Sequence, residues 1–285
     1  LLMVTGVSAL LLAISVFGPE NGWGNSKTIT AFVAFGILLI AFLICESKAT
    51  EAILPLRLFK NHTFSLTSIL GFIIGAGMFG AIVMLPLYLQ VVKGNSATLS
   101  GLKLIPFMIG IVGFSIISGK MISKHGRYKR FPIIGLALMT IGILLLSTLD
   151  ETTPFWKLSI MAVMIGAGLG FSMQTIVIAL QNAIEFKDMG VGTSANTFFR
   201  SIGSTVGVAI FGSIYANRLV HYMVSGTAKL AQSNARAFYK VAADGSKVPA
   251  SPADFAELQK NTAVLKSFSP ELQSTVLHAF VKSFH

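Results

Sequence analysis

The stretch FSLTSILGFIIGAGMFGAIVMLPLYLQ, Phe64 to Gln90, decides the fold. Inside it Gly75, Gly77 and Gly80 satisfy the spacing G-x-G-x-x-G, which in a dinucleotide-binding domain cradles a pyrophosphate at a helix N-terminus. That fingerprint needs a short strand before the glycines and an acid about 20 residues after them. Neither is present: the glycines lie within a long apolar run, and no Asp or Glu occurs between Glu51 and Asp150. A run of this length is instead what a helix needs to cross about 30 Å of hydrocarbon. The glycines then serve close helix contact, because small residues four apart let backbones approach. Gly71 with Gly75, Gly166 with Gly170, and Gly203 with Gly207 all have this spacing and are expected to be packing positions.

Working outward, comparable runs cover residues 1–17, 28–45, 100–119, 131–149, 156–182 and 197–217, giving seven in all. None carries an acid near its middle. Only 12% of the 285 residues are charged, whereas a soluble chain needs about a quarter. The expected fold is therefore an all-α polytopic transmembrane bundle in a cell membrane, with the lipid bilayer as its first partner. The first run lacks the basic start and cleavage site of a signal peptide and opens at Leu1, so the chain reads as part of something longer.

Basic residues in the breaks give an orientation. One side receives Lys48, Arg57, Lys60, Lys120, Lys124, Arg127, Lys129, Arg130, Lys187 and Arg200; the other receives Lys27, Lys93, Lys103 and Lys157. The positive-inside bias places the first set in the cytoplasm, with Ser246 outside. The net charge of +11 is thus divided between topology and the tail, and no nucleic-acid partner is expected.

Site chemistry of the enzymatic kinds is missing. There is no G-x-S-x-G and no serine with a histidine and a carboxylate on neighbouring spans, so no enzyme is expected. The single Cys45 excludes a disulfide framework, and His62, His125, His221, His278 and His285 lack ligand spacing, so neither a metal nor a cofactor is expected.

Uncharged polar residues inside the runs are more informative. Gln174 and Gln181 are seven apart and share a helix face, with Asn182 beside the second. An amide facing lipid is costly, so these groups face other helices or an aqueous path. Asn196, one turn before Arg200, has the same status; Arg200 also has the option of snorkelling to the interface. Phe72, Met78, Phe79, Met84, Met161, Met164 and Met173 suit either an adaptable greasy cavity or core packing. After residue 220 the composition turns to Ala, Ser, Lys and Gln. Helix starts are expected at Ser251-Pro252 and Ser269-Pro270-Glu271, the former leading an apolar face of Phe255, Leu258, Thr262 and Leu265.

Leu54 to Asn61, Leu85 to Gln90, Gly94-x-Ser96 with Gly101-Leu102, Gly119 through Gly126-Arg127-Tyr128-Lys129-Arg130, Gln181-Asn182, Phe198 to Ser201 and Gly203 to Gly207 form an ordered set. Together they resemble the fourteen-span EmrB/QacA-type drug:proton antiporters of the major facilitator superfamily. The resemblance implies four segments. Residues 1–63 are an extra central pair of spans with a cytoplasmic linker, and 64–219 are five spans of the C-terminal six-helix bundle. Residues 220–271 are an extracytoplasmic polar segment, and 272–285 open the final span, about Val276. It further implies a small drug-like substrate exchanged for protons; Gln90, Gln174, Gln181, Asn182, Asn196, Met78 and Phe79 are the candidates for its pathway. The opposing N-terminal bundle and the proton-carrying acids would then lie outside this chain. In the superfamily the loop from Gly119 to Arg130 gates the cytoplasmic side, which makes Gly119, Gly126, Arg127, Lys129 and Arg130 candidates; the acid of that loop is replaced here by Ser123. The alternatives are an exporter specific for an antibiotic, metabolite or siderophore, or a non-transporting membrane scaffold or partner subunit.

Overall fold

The structure, a computed structural model, describes residues 2–18, 24–48, 56–126, 128–233, 239–241, 246–250 and 262–284. Every apolar run forms a helix. The first is α1 (Leu2–Leu12), prolonged by a π turn over Ala13–Phe17, and α2 (Ser26–Lys48) packs beside it. After a 3-10 turn at Leu56–Lys60, α3 (His62–Phe79) passes through a π turn, Gly80–Met84, into α4 (Leu85–Val91). The π turn ends two residues before Pro86. A proline inside a helix removes one backbone donor and crowds the carbonyl four residues earlier, and a wider turn relieves both.

A short α5 (Ala97–Leu102) leads to α6 (Ile105–His125), and then α7 (Arg130–Leu146), α8 (Phe155–Ala183) and α9 (Met189–Ser233) follow. Among the described residues, five helical stretches are long and apolar enough to cross a membrane: Ser26–Glu46, His62–Val91, Ala97–His125, Phe155–Ala183 and Phe186–Gln232. The apolar α7, at 17 residues, is slightly shorter. Gly126 closes α6 in the left-handed conformation, φ 67°, and its N–H donates to the Ile122 carbonyl. Only glycine enters that region without penalty, which is what lets the basic loop turn tightly.

α8 is the central helix. α6 and α7 flank it, α3 touches it, and from Ile165 to Gly170 it is wholly buried. Ile74, Tyr88, Leu89, Phe107, Met139, Leu158, Ile165, Leu169 and Ile176 make the main core. The outward faces stay apolar: Ile29, Val33, Ile37, Ile40 and Ile44 form an exposed stripe on α2, as do Ile109, Val112 and Ile116 on α6. Stripes of this kind are solvated by lipid tails, so the chain is a multi-pass membrane protein.

One element runs past its expected end. The run 197–217 belongs to a helix of 45 residues, about 68 Å long and more than twice the hydrocarbon thickness. Its far part packs on α10 (Pro270–Phe284), where Leu219 and Met223 meet Leu272, Val276, Ala279 and Phe280, with Val91 of α4 in the same cluster. Ser269 caps α10, its hydroxyl accepting from the Leu272 N–H. A two-stranded antiparallel ribbon, β1 (Tyr239–Val241) with β2 (Lys247–Pro249), lies in this region. The expected start at Ser251-Pro252 and its face over Phe255 and Leu258 lie outside the described residues; Thr262–Ser267 is a 3-10 turn.

Candidate transport pathway and its two ends

One end of the bundle is fastened by side chains from distant parts of the chain. Asn61 caps α3, its Oδ1 accepting from the N–H groups of Thr63 at 2.9 Å and Phe64 at 3.3 Å. Its Nδ2 donates to the carbonyl of Ala183, the last residue of α8, at 2.6 Å. One amide therefore satisfies the orphan groups of two helix ends. Beside it Arg57 Nη2 lies 2.7 Å from Asp188 Oδ1, with Asp188 buried just ahead of α9. Glu185 and Lys187 pair at 2.6 Å in the same turn, and this bond holds the Glu185 carboxyl below its ordinary range. Lys129 and Arg130 are exposed at the start of α7, and Gly119 lies beside Gln174. Arg127 is outside the described residues.

The opposite end is polar in a different way. Tyr88 Oη donates to the Asp150 carbonyl and Lys93 Nζ to the Glu151 carbonyl, both at 2.6 Å. Partial burial, and then the neighbouring Lys103, push the Lys93 ammonium below its usual pKa, against the opposing pull of Glu151. Lys103 bonds Asn95 at 3.1 Å and stands 5.3 Å from the centre of the Phe155 ring. A cavity of about 500 Å³ opens here among Glu151, Tyr222, Lys229, His278 and Lys282.

Between the ends, the seam of α3 and α9 is close. Asn196 is 3% exposed and donates to the Thr67 carbonyl at 2.8 Å, across the seam. A Cβ on Gly71 would lie 3.1 Å from the Asn196 amide; on Gly75 it would strike the Arg200 carbonyl, and on Gly203 the Phe72 carbonyl. On Gly207 it would come 2.5 Å from the Ala76 carbonyl. Gly166 and Gly170 meet α6 in the same manner, at Phe107 and Ile111.

The expected pathway residues do not gather at one point. Gln174 is half-buried near α6, whereas Gln181 and Asn182 are exposed at the fastened end. Gln90 is half-buried near the other end, and Met78 and Met173 pack against the main core, which includes the buried Met161. Met164 is half-buried, and Met84 lines a void of about 100 Å³ with Tyr88 and Ile143. The side chain of Phe79 is outside the described set. Because Gln181 is exposed, Gln181→Leu is expected to leave membrane abundance unchanged and to alter resistance unequally among several drugs. Abundance on immunoblots and inhibitory concentrations check this; unchanged resistance to every drug would remove Gln181 from the pathway.

Sequence reasoning missed a cavity of about 370 Å³ between the α1–α2 pair and the α3–α9 seam, lined by Phe35, Phe42, Phe59, Phe72, Phe198 and Phe199. Phe59 stands edge-on to Phe64 at 5.0 Å and to Phe199 at 6.0 Å. The local signals were Phe72, already suited to a greasy cavity, and the spacing of Phe35 and Phe42, two turns apart on one face of α2.

The pattern of the Major Facilitator Superfamily matches residues 1–208. Among individual proteins, the chain is 41% identical over 213 residues to the multidrug transporter protein MdtP of Bacillus subtilis, covering 74% of this chain and 39% of that protein. It is 40% identical over 219 residues to an uncharacterized MFS-type transporter of Mycobacterium tuberculosis, covering 77% of this chain and 32% of the relative. To a tetracycline resistance determinant of Streptomyces rimosus it is 35% identical over 218 residues, 74% of this chain and 63% of the other. The chain thus spans about a third to two-fifths of the first two. A helical multi-pass architecture, a family pattern over most of the chain and relatives named as transporters lead to one conclusion: the chain belongs to the major facilitator superfamily, whose members are transporters and not enzymes.

Proposed function

We propose that this chain is the C-terminal portion of a fourteen-span, EmrB/QacA-type multidrug transporter that exports small amphipathic or cationic compounds in exchange for protons. Residues 1–63 serve as the central pair and linker, 64–219 as five spans of the C-terminal bundle, 220–271 as the extracytoplasmic segment and 272–285 as the opening of the final span. An N-terminal bundle of the same polypeptide provides the opposing half against which this one rocks. The carrying observation is the phenylalanine cavity: its walls are almost purely apolar, and ring faces accept flat, greasy or cationic solutes without fixing one shape. The names of the Bacillus and Streptomyces relatives point the same way.

The test is substitution of Phe42 and Phe199 by Ala in the full-length polypeptide. Efflux of ethidium and of a neutral lipophilic dye is expected to fall by different factors, on the order of threefold to tenfold for the more affected dye, at equal membrane abundance; such ratios correspond to about 0.7–1.4 kcal/mol. Equal efflux of both dyes by wild type and both variants would move the substrate path elsewhere.

A further inference from the structure

Arg200 lies far deeper in the membrane than a topology anchor needs. Its carbonyl meets α3 at Gly75, so the two residues share one level. Gly75 is near the midpoint of the 30-residue stretch His62–Val91, which Lys60 and Lys93 bracket evenly. At 1.5 Å per residue Gly75 is about 20 Å from His62 and about 24 Å from Val91. With about 30 Å of hydrocarbon centred on that stretch, the Arg200 backbone falls within about 2 Å of the bilayer middle. A second ruler agrees: Asp188, at the fastened end, is about 18 Å back along α9. Helical side chains lean toward the N-terminus, so the guanidinium reaches toward the cytoplasmic interface, but from this depth snorkelling does not return it to water.

A charge at such a level is held by an opposite charge or a water-filled cavity. The described acids, Glu46, Asp150, Glu151, Glu185, Asp188 and Glu271, all stand near helix ends or in the loops between helices, and the described ion pairs join Asp188 to Arg57 and Glu185 to Lys187. Arg200 itself is half-buried and has no acidic partner among the described residues.

We propose that Arg200 is a fixed intramembrane cation that holds a carboxylate at the bilayer mid-plane. The inference rests on the transport reading above. The carboxylate comes from one of two sources, an acidic side chain of the opposing helices or an acidic group on the transported compound; a planar guanidinium grips either with two parallel bonds.

The experiment uses the full-length polypeptide with Cys45→Ser and Arg200→Cys. In inside-out vesicles, membrane-impermeant thiol reagents are expected to label position 200, and attaching an aminoethyl group there is expected to restore efflux that a methyl group does not. Ethidium efflux reduced at least tenfold, with a cationic reagent reacting faster than an anionic one, assigns the carboxylate to a protein side chain. A loss confined to an anionic dye such as calcein, with ethidium efflux intact, assigns it to the solute. No labelling by any impermeant reagent, or unchanged efflux of both dyes at normal abundance, overturns the proposal. If Arg200→Cys does not reach the membrane, Arg200→Lys and Arg200→Gln are compared: abundance recovered by Lys alone supports a held charge, and equal loss in both overturns it. Labelling requires no transport, so an inactive wild type would sink the transport reading without deciding this one.

Discussion

Gly75→Leu is expected to drive α3 away from α9 and remove most of the protein from the membrane. The side chain would enter the space of the Arg200 carbonyl, with the Ser204 nitrogen 2.9 Å from the new Cβ. Both obstacles are backbone, so no rotamer change relieves the clash. Overpacking a tight contact costs about 1–3 kcal/mol, and a contact made only of backbone belongs at the upper end. That is a large part of a total stability of about 5–15 kcal/mol. Gly77 is the graded comparison, because a Cβ there meets the terminal methyl of Met139 at 2.7 Å, and a methionine end swings aside. Gly113 is the neutral one, since nothing lies within 4 Å of its added Cβ. Size-exclusion profiles and melting in detergent should therefore rank Gly113→Leu as wild type, Gly77→Leu as weakened and Gly75→Leu as lost. A Gly75→Leu protein as abundant and thermostable as Gly113→Leu would show that the two helices do not depend on this contact.

The same seam shows why some features were legible in the sequence and others were not. Spans are visible because hydrocarbon imposes a length and an apolar composition on each one separately, so residues 64–90 identify a membrane helix without their partners. Turns such as Gly126 and caps such as Ser269-Pro270 are equally local. The continuation of α9 beyond residue 217 was hidden by composition: Ala, Ser and Lys between Tyr215, Leu219, Met223 and Leu230 obscure an apolar stripe at helical spacing that α10 covers. The phenylalanine cavity draws its lining from positions between Leu2 and Ile202, and no window of sequence contains it. Spacing placed Gln174 and Gln181 on one face, but what stands opposite a face is a tertiary fact, and here one amide is half-buried while the other is exposed. Arg57 was read only as a topology charge, because its partner Asp188 is 131 residues away.

That pair yields an asymmetric expectation. Arg57→Ala should destabilise the bundle more than Asp188→Asn does, although each removes the same ion pair. The Arg57 side chain is 55% exposed and the Asp188 side chain 8%. Removing the arginine leaves a carboxylate buried without its counter-charge, and breaking a buried pair in this way costs about 3–5 kcal/mol. Half-exposure of the arginine brings screening, which lowers the expectation to about 1–3 kcal/mol. The loss is softened further because Asp188 directly precedes α9, whose N-terminal dipole favours a negative group. Asp188→Asn instead leaves Arg57 in water and retains an oxygen that accepts its hydrogen bond, so its cost should stay below about 1 kcal/mol. At about 2–4 °C per kcal/mol for a domain of this size, melting separates the two variants. The double variant Arg57→Ala/Asp188→Asn should melt above Arg57→Ala alone, because the stranded charge is gone. Equal melting of both single variants with no recovery in the double would mean that Asp188 secures the α8–α9 turn independently of Arg57. The linker Leu56–Lys60 would then be held by the Asn61 amide at the end of α8, by the Ser65 hydroxyl on the Phe59 carbonyl and by the burial of Leu58 against Phe64 and Leu180.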